Sequence, residues 1–259
     1  MASDGDTRVD TQEDVHPIDA EGTPERLWRG WGALEALPTL DLSGAARAVV
    51  VAPHPDDETL GFGGGIALMA AQGTDVTIVA VTDGEGSHPG SNVLTRAGLV
   101  AARAGERGRA LSSLGARGVD IERLGIPDGQ VAAHEGELAE RLADLCAETD
   151  LCVAPWEGDL HPDHEATGRA ARAAVRDRDT RLLSYPVWMW HWARPGDDAV
   201  PWSRAYRIDL TPEVVHLKES ALGAFVTQVS PLGGLPEDRA VLTPDMLAHF
   251  SRDHEVVFQ

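Results

Sequence analysis

The chain has 259 residues, 42% hydrophobic and 25% charged, an ordinary globular composition with enough apolar material for one sizeable domain. Its 22 Lys and Arg stand against 42 Asp and Glu, a net charge of −20, which argues against nucleic acid or an anionic membrane as partner. No apolar run is long enough to span a bilayer, no basic-then-apolar leader opens the chain, and Cys146 and Cys152 make no disulfide framework, so a cytoplasmic protein without stable membrane insertion is expected.

Residues 1–22 are acidic, nearly free of large apolar side chains, and read as a disordered tail ahead of one domain over 23–259. Thr23-Pro24-Glu25 has the form of a capped helix start, and Leu27, Trp28, Trp31, Leu34 and Leu37 follow at roughly helical spacing. From residue 47 the pattern alternates. Short apolar runs at 47–52, 75–82, 119–126, 150–155 and 181–187 read as strands, mostly buried on both faces, and 60–71, 94–114, 135–148 and 163–176 between them as helices. This predicts an α/β fold: a single-domain, Rossmann-like, mostly parallel sheet with helices on both faces. After Trp188 come loops, a strand at 206–210, a helix at 212–225, and a short C-terminal helix and strand.

In such sheets ligands lie beyond the C-terminal ends of the strands, near the point where strand order reverses. Chemistry-bearing residues cluster at two such places. Pro53-His54-Pro55-Asp56-Asp57-Glu58 follows the first strand, and His161-Pro162-Asp163-His164-Glu165 follows the strand at 150–155. Helix capping explains one acid of the first motif, not a histidine and three acids together. His161 and His164 are three residues apart at a helix start, so both can face one way. Two imidazoles and a carboxylate with an open position form the ligand set of catalytic zinc, and a spare carboxylate and histidine would serve as base and acid. Ferrous iron takes the same donors.

The two motifs, with Thr82-Asp83-Gly84-Glu85, the Arg103…Glu106…Leu114-Gly115 helix, Pro127-Asp128-Gly129 and the ending Glu255-Val256-Val257-Phe258, resemble the PIG-L/LmbE family of zinc-dependent N-deacetylases. The resemblance implies a hydrolase that removes acetyl from a small N-acetylated amino-sugar glycoside. By motif position it implies His54, Asp57 and His164 as zinc ligands and Asp56 as general base. His161 would stabilise the oxyanion or protonate the leaving amine, and Asp163 would hold a histidine tautomer. Arg103 and Asp128 match positions that contact sugar hydroxyls in some relatives. Where some relatives carry a tyrosine, two residues before the second motif, this chain has Asp159. An acid at the pocket mouth would favour a cationic or hydroxyl-rich substrate.

Tyr185–Trp192 holds three of the seven tryptophans, suited to a pocket wall or a core; His191 and His88 lie in segments that follow strands, from which His191 could reach the site as a substrate contact. The glycines at 61 and 63–65 break the dinucleotide-binding pattern at Ile66 and are read as allowing close helix packing. The competing functions are an amidase of a thiol S-conjugate on the same fold, a non-catalytic sugar- or nucleotide-binding module, and a metal-dependent phosphoesterase. Oligomeric state has no signature in the sequence.

Overall fold

The computed structural model describes residues 16–18 and 20–259. Most of the acidic tail expected over 1–22 therefore lies outside the described residues. Its last part is docked: the Ala20 carbonyl meets Nε2 of His191 at 3.0 Å, and Thr23 N–H donates to the His191 carbonyl at 2.7 Å.

Strand β1 (Arg47–Ala52) is followed by helix α2 (Asp57–Gln72), after the short N-terminal helix α1 (Glu25–Arg29). Then come β2 (Asp75–Ala80), α3 (Arg96–Ser113), β3 (Asp120–Arg123), α4 (Glu135–Leu145), β4 (Leu151–Pro155), α5 (Pro162–Val175) and β5 (Arg181–Tyr185). The C-terminal part adds α6 (Met189–Trp192), β6 (Ala205–Asp209), α7 (Pro212–Leu222), α8 (Val226–Val229), α9 (Pro244–Ala248) and β7 (His254–Phe258). The sheet has seven strands in the order β3-β2-β1-β4-β5-β7-β6. The first five are parallel, and β7 enters antiparallel between β5 and β6.

Alternate residues along β1 enter opposite cores: Ala48 and Val50 on the side of α2, Val49 and Val51 on the side of α4 and α5. Full burial of each valine contributes roughly 1.5–3 kcal/mol, which is why both faces of this strand must be apolar. Strand order reverses between β1 and β4, so the two motifs leave neighbouring strands at the switch point.

Two glycines bring the layers close there. A Cβ on Gly61 would lie 2.0 Å from the Tyr185 ring, and one on Gly168 would lie 2.6 Å from the Pro155 carbonyl. Helix α2 is broken at Phe62 (φ −145°, ψ 20°). Its restart is satisfied by Glu255, which accepts the N–H groups of Gly64 at 2.7 Å and Gly65 at 2.9 Å. Lys218, the one lysine of the chain, is buried and pairs with Glu255 at 2.6 Å.

The N-terminal helix is shorter than its spacing predicts. Thr23 does not cap it: its hydroxyl donates to the Ala193 carbonyl at 2.6 Å, and the helix ends at Arg29, with Gly30 and Gly32 flanking Trp31. Trp28 and Leu34 still bury in the core. No helix among the described residues is long and apolar enough to cross a membrane.

Candidate active site

Both motifs begin with forced backbone. Asp56 (φ 147°) and Leu160 (φ 62°) are the non-glycine residues with positive φ among the described residues, and each sits in or beside a motif. Such strain persists only where surrounding contacts over-determine it. At Asp56 the contacts come from α3: Arg103 donates to the Asp56 carboxylate at 3.1 Å and to the carbonyls of Pro55 and Gly84 at 2.9 Å. Arg107 of the same helix pairs with buried Glu58 at 3.0 Å.

The turn aims His54 and Asp57 at one another. Asp57 Oδ2 accepts the His54 backbone N–H at 2.8 Å and lies 3.1 Å from His54 Nδ1. From α5, His164 Nε2 comes within 3.2 Å of the same oxygen. The donor atoms of His54, Asp57 and His164 all lie within 4.8 Å of one another. His161, Asp163 and His54 satisfy the same distance.

The tautomer of His164 is set from behind. Asp159 is fully buried and accepts from the backbone N–H groups of Val187, Trp188 and Met189 at 2.8–3.3 Å and from His164 Nδ1 at 2.8 Å. A carboxylate accepts, so Nδ1 carries the proton and Nε2 is the lone-pair end. That Nε2 is sealed from solvent and has no hydrogen-bond partner among the described residues. An orphaned buried nitrogen facing a carboxylate fits a cation between them. Burial disfavours the charged imidazole, but Asp57 and Asp159 outweigh it and raise His164 to about 9, so a proton stands in for that cation.

On the far side of His54, its Nε2 faces Asp163 at 3.2 Å and Asp128 at 3.3 Å. Asp163 is itself fixed by the N–H groups of Gly129 and Val131. The Asp56 carboxyl is pushed up to about 7 by burial and by Asp57, against the pull of Arg103. Burial and the neighbouring His164 and His54 push His161 down to about 3, which leaves its imidazole neutral. Its ring stacks on Trp188, with centroids 6.3 Å apart and planes 16° apart.

These groups open into a cavity of about 230 Å³, lined by His54, Asp56, Asp57, Arg103, Asp128 and His161 together with Ser87, Trp188, Gln228, Val241 and Leu242. A larger surface cleft, about 680 Å³ beside Trp31 and α7, contains none of the motif residues.

A profile of the GlcNAc-PI de-N-acetylase family, PIG-L, matches residues 49–175. A 1D-myo-inositol 2-acetamido-2-deoxy-alpha-D-glucopyranoside deacetylase from Corynebacterium glutamicum is 34% identical over 230 residues, covering 73% of this chain and 77% of that protein. The chain belongs to the PIG-L family. Among solved structures, the N,N'-diacetylchitobiose deacetylase of Pyrococcus horikoshii superposes with TM-score 0.58 at 21% identity, over 79% of each chain. The zinc-inhibited form of a teicoplanin deacetylase gives 0.59 at 19% identity, over 82% of this chain and 97% of its own. These likenesses concern the fold. PIG-L proteins are metal-dependent de-N-acetylases, and this member carries a cluster of His54, Asp57 and His164 whose donor atoms could hold a metal.

Two sequence expectations are corrected. Asp159 is not at the pocket mouth: it has no exposed surface, and its oxygens are taken by His164 and the start of α6. His191 does not reach the cavity, because its ring packs on Gly22 and its Nε2 meets the Ala20 carbonyl. Arg103 lines the cavity and also holds Asp56 and the preceding turn through both terminal nitrogens. Asp128 does face the cavity, beside His54. Ser87, Gln228, Val241 and Leu242 carry no motif and were invisible in the sequence. They arrive from segments far from either histidine motif.

Proposed function

We propose that this chain is a zinc-dependent hydrolase that removes the acetyl group from an N-acetylated amino sugar, a GlcNAc-type glycoside, and releases acetate. The observation that carries this is the convergence of His54 Nδ1, Asp57 Oδ2 and the orphaned His164 Nε2, with His54, Asp57, Asp56 and His161 lining one cavity of sugar-ring scale and His164 buried directly behind Asp57. His54, Asp57 and His164 would hold the metal. When bound, it supplies Lewis acidity that polarises the acetamide carbonyl and acidifies water.

The protein's own groups do the rest. Asp56, held by Arg103, takes the proton from the attacking water. His161, neutral and stacked on Trp188, hydrogen-bonds the tetrahedral oxyanion or delivers a proton to the leaving amine. Asp163 and Asp128 keep Nε2–H of His54 pointed away from Asp57, and Asp159 keeps Nδ1–H of His164 pointed away from it. Each ligand histidine thus presents a lone pair toward Asp57.

The relatives' names support a glycosidic substrate: one acts on an inositol 2-acetamido-glucopyranoside and another, from Bacillus cereus, is a probable N-acetyl-glucosaminyl malate deacetylase. An S-conjugate amidase would use the same machinery on a different acyl amine. A phosphoesterase fits less well. Among the residues lining the cavity the only Lys or Arg is Arg103, and it is committed to Asp56.

The test is acetate release from a panel of N-acetylglucosaminides, with and without a chelator, then with zinc or ferrous iron restored. Metal-restorable release is the expected result. A protein that binds no metal, or whose activity ignores the chelator, would overturn the assignment of His54, Asp57 and His164.

A further inference from the structure

The cavity wall formed by Ser87 and Gln228 is joined by a hydrogen-bond relay with a closed end on each side. At one end the Arg239 backbone carbonyl meets His88 Nε2 at 3.1 Å. A carbonyl only accepts, so Nε2 carries the proton. In the neutral ring Nδ1 is then an acceptor, and it lies 3.0 Å from Ser87 Oγ, whose hydroxyl must donate to it. Ser87 Oγ in turn accepts from Gln228 Nε2 at 3.4 Å.

At the other end Glu106, buried in α3, accepts the Thr227 N–H at 2.9 Å and its hydroxyl at 2.7 Å. Thr227 Oγ1 is therefore free to accept, and it takes the second Gln228 Nε2 hydrogen at 3.0 Å. Both hydrogens of the Gln228 amide are committed, and two acceptor-only anchors impose the same amide orientation. Gln228 lines the cavity, and its Oε1 has no donor among the described residues. Gln228, Ser87 and Asp128 line this wall together, and the capacity their hydrogen bonds leave over, on Gln228 Oε1, the Ser87 hydroxyl oxygen and the Asp128 carboxylate, is all acceptor.

His88 is buried in the joint between two loops that carry this wall. Ser91 Oγ donates to Asp238 at 2.6 Å across the same joint, and Leu242 N–H donates to the Gln228 carbonyl at 2.9 Å. Burial, opposed by the Arg239 carbonyl and reinforced by the charge of Arg103 against that of Asp238, holds His88 below its ordinary pKa. The neutral ring that the relay requires is thus the one present at neutral pH.

We infer that the relay His88–Ser87–Gln228–Thr227–Glu106 fixes this wall as an acceptor surface, with His88 as the positioning residue that sets its polarity, and that the substrate group meeting it is neutral and hydroxyl-bearing, not a carboxylate or phosphate. This rests on the de-N-acetylase reading of the same cavity. An anion placed there meets only oxygen lone pairs, whereas a hydroxyl donates to them.

The experiment compares three substrates on the metal-loaded full chain. One is a neutral hydroxylated N-acetylglucosaminide; two analogues replace the sugar's hydroxymethyl group or an aglycone hydroxyl by a carboxylate. The analogue whose carboxylate meets the wall is expected to lose about tenfold or more in kcat/KM. His88→Ala should narrow that gap about threefold or more by raising KM for the neutral substrate, with kcat and metal content little changed. His88→Gln, which keeps one donor and one acceptor, should recover part of the gap. Equal use of all three substrates overturns the acceptor wall, and an unchanged gap in His88→Ala overturns the role of His88. Calorimetric titration with the corresponding amine products separates the two readings: if nothing is turned over yet the neutral amine binds and a carboxylated one does not, the deacetylase assignment fails and the wall stands. Equal binding of neutral and carboxylated amines overturns the wall whatever the turnover.

Discussion

The two motif loops leave adjacent parallel strands, each with a residue forced to positive φ in or beside the motif, yet they are held by opposite means. The loop after β1 is clamped from outside by cations: Arg103 on Asp56 and Arg107 on Glu58, both from α3. The loop after β4 is clamped from within by an anion, Asp159, which gathers the first N–H groups around α6 and the Nδ1 of His164. The difference fits the roles proposed for the two loops. A carboxylate offered as a base must stay ionisable in a buried place, so it needs a neighbouring positive charge to offset desolvation. A histidine offered as a metal ligand needs one nitrogen protonated and the other bare, so it needs an acceptor behind it.

The comparison can be broken at each clamp. The largest effect is expected from His164→Ala, which removes the orphaned nitrogen: the protein should lose bound metal, measured by elemental analysis, and with it deacetylation. Next is Asp56→Asn, which keeps the side chain's shape, leaves the proposed metal ligands in place and removes the proposed base. The expected fall in kcat is about 10²–10⁴-fold, and retained metal stoichiometry separates it from the first variant. Asp159→Asn should act through His164 without touching substrate. An amide in that place no longer dictates which ring nitrogen is bare, so metal affinity should weaken by about 10–100-fold, read by competition with a chelator, while the kcat of fully loaded enzyme changes less.

The smallest effect is expected behind the second loop. Glu25 of α1 is held by Arg252 and His249, and Trp28 Nε1 donates to the Trp190 carbonyl, so α1 backs the helix whose first N–H groups Asp159 collects. Burial pushes the Glu25 carboxyl up, but hydrogen bonds and charges from Arg252 and His249 outweigh it and bring it to about 2. A folded-state pKa depressed from the ordinary glutamate value of 4.5 contributes stability above that value, which is lost as pH falls toward about 2. Glu25→Gln should therefore lower unfolding stability at pH 7, and the gap to the unaltered protein should close between about 4.5 and about 2, as read by urea titration across pH.

The alternation of elements, the parallel five-stranded core and both motifs were legible because they are local. A strand buried on two faces must be apolar throughout, and a site at a switch point must follow such strands. The antiparallel entry of β7 between β5 and β6 was not, because pairing between strands distant in sequence leaves no periodic mark. Asp159 was misplaced for the same reason. Its number, two before His161, suggested the cavity, but its direction is decided by the N–H groups of residues 187–189, which only folding brings to it. His191 shows the converse: its place after a strand suggested that it could reach the site, and the short α6 turned it to the N-terminal segment.

By itself, then, the order of residues determined which side chains can bind a metal and move a proton, since donor type and spacing along a loop are properties of the chain. Only the tertiary structure decided the states of those side chains. Whether a nitrogen is bare, a carboxyl stays ionisable or an amide shows its oxygen depends on partners such as Asp159, Arg103 and the His88–Glu106 relay, which arrive from other strands and helices and whose buried hydrogen bonds must all be satisfied together.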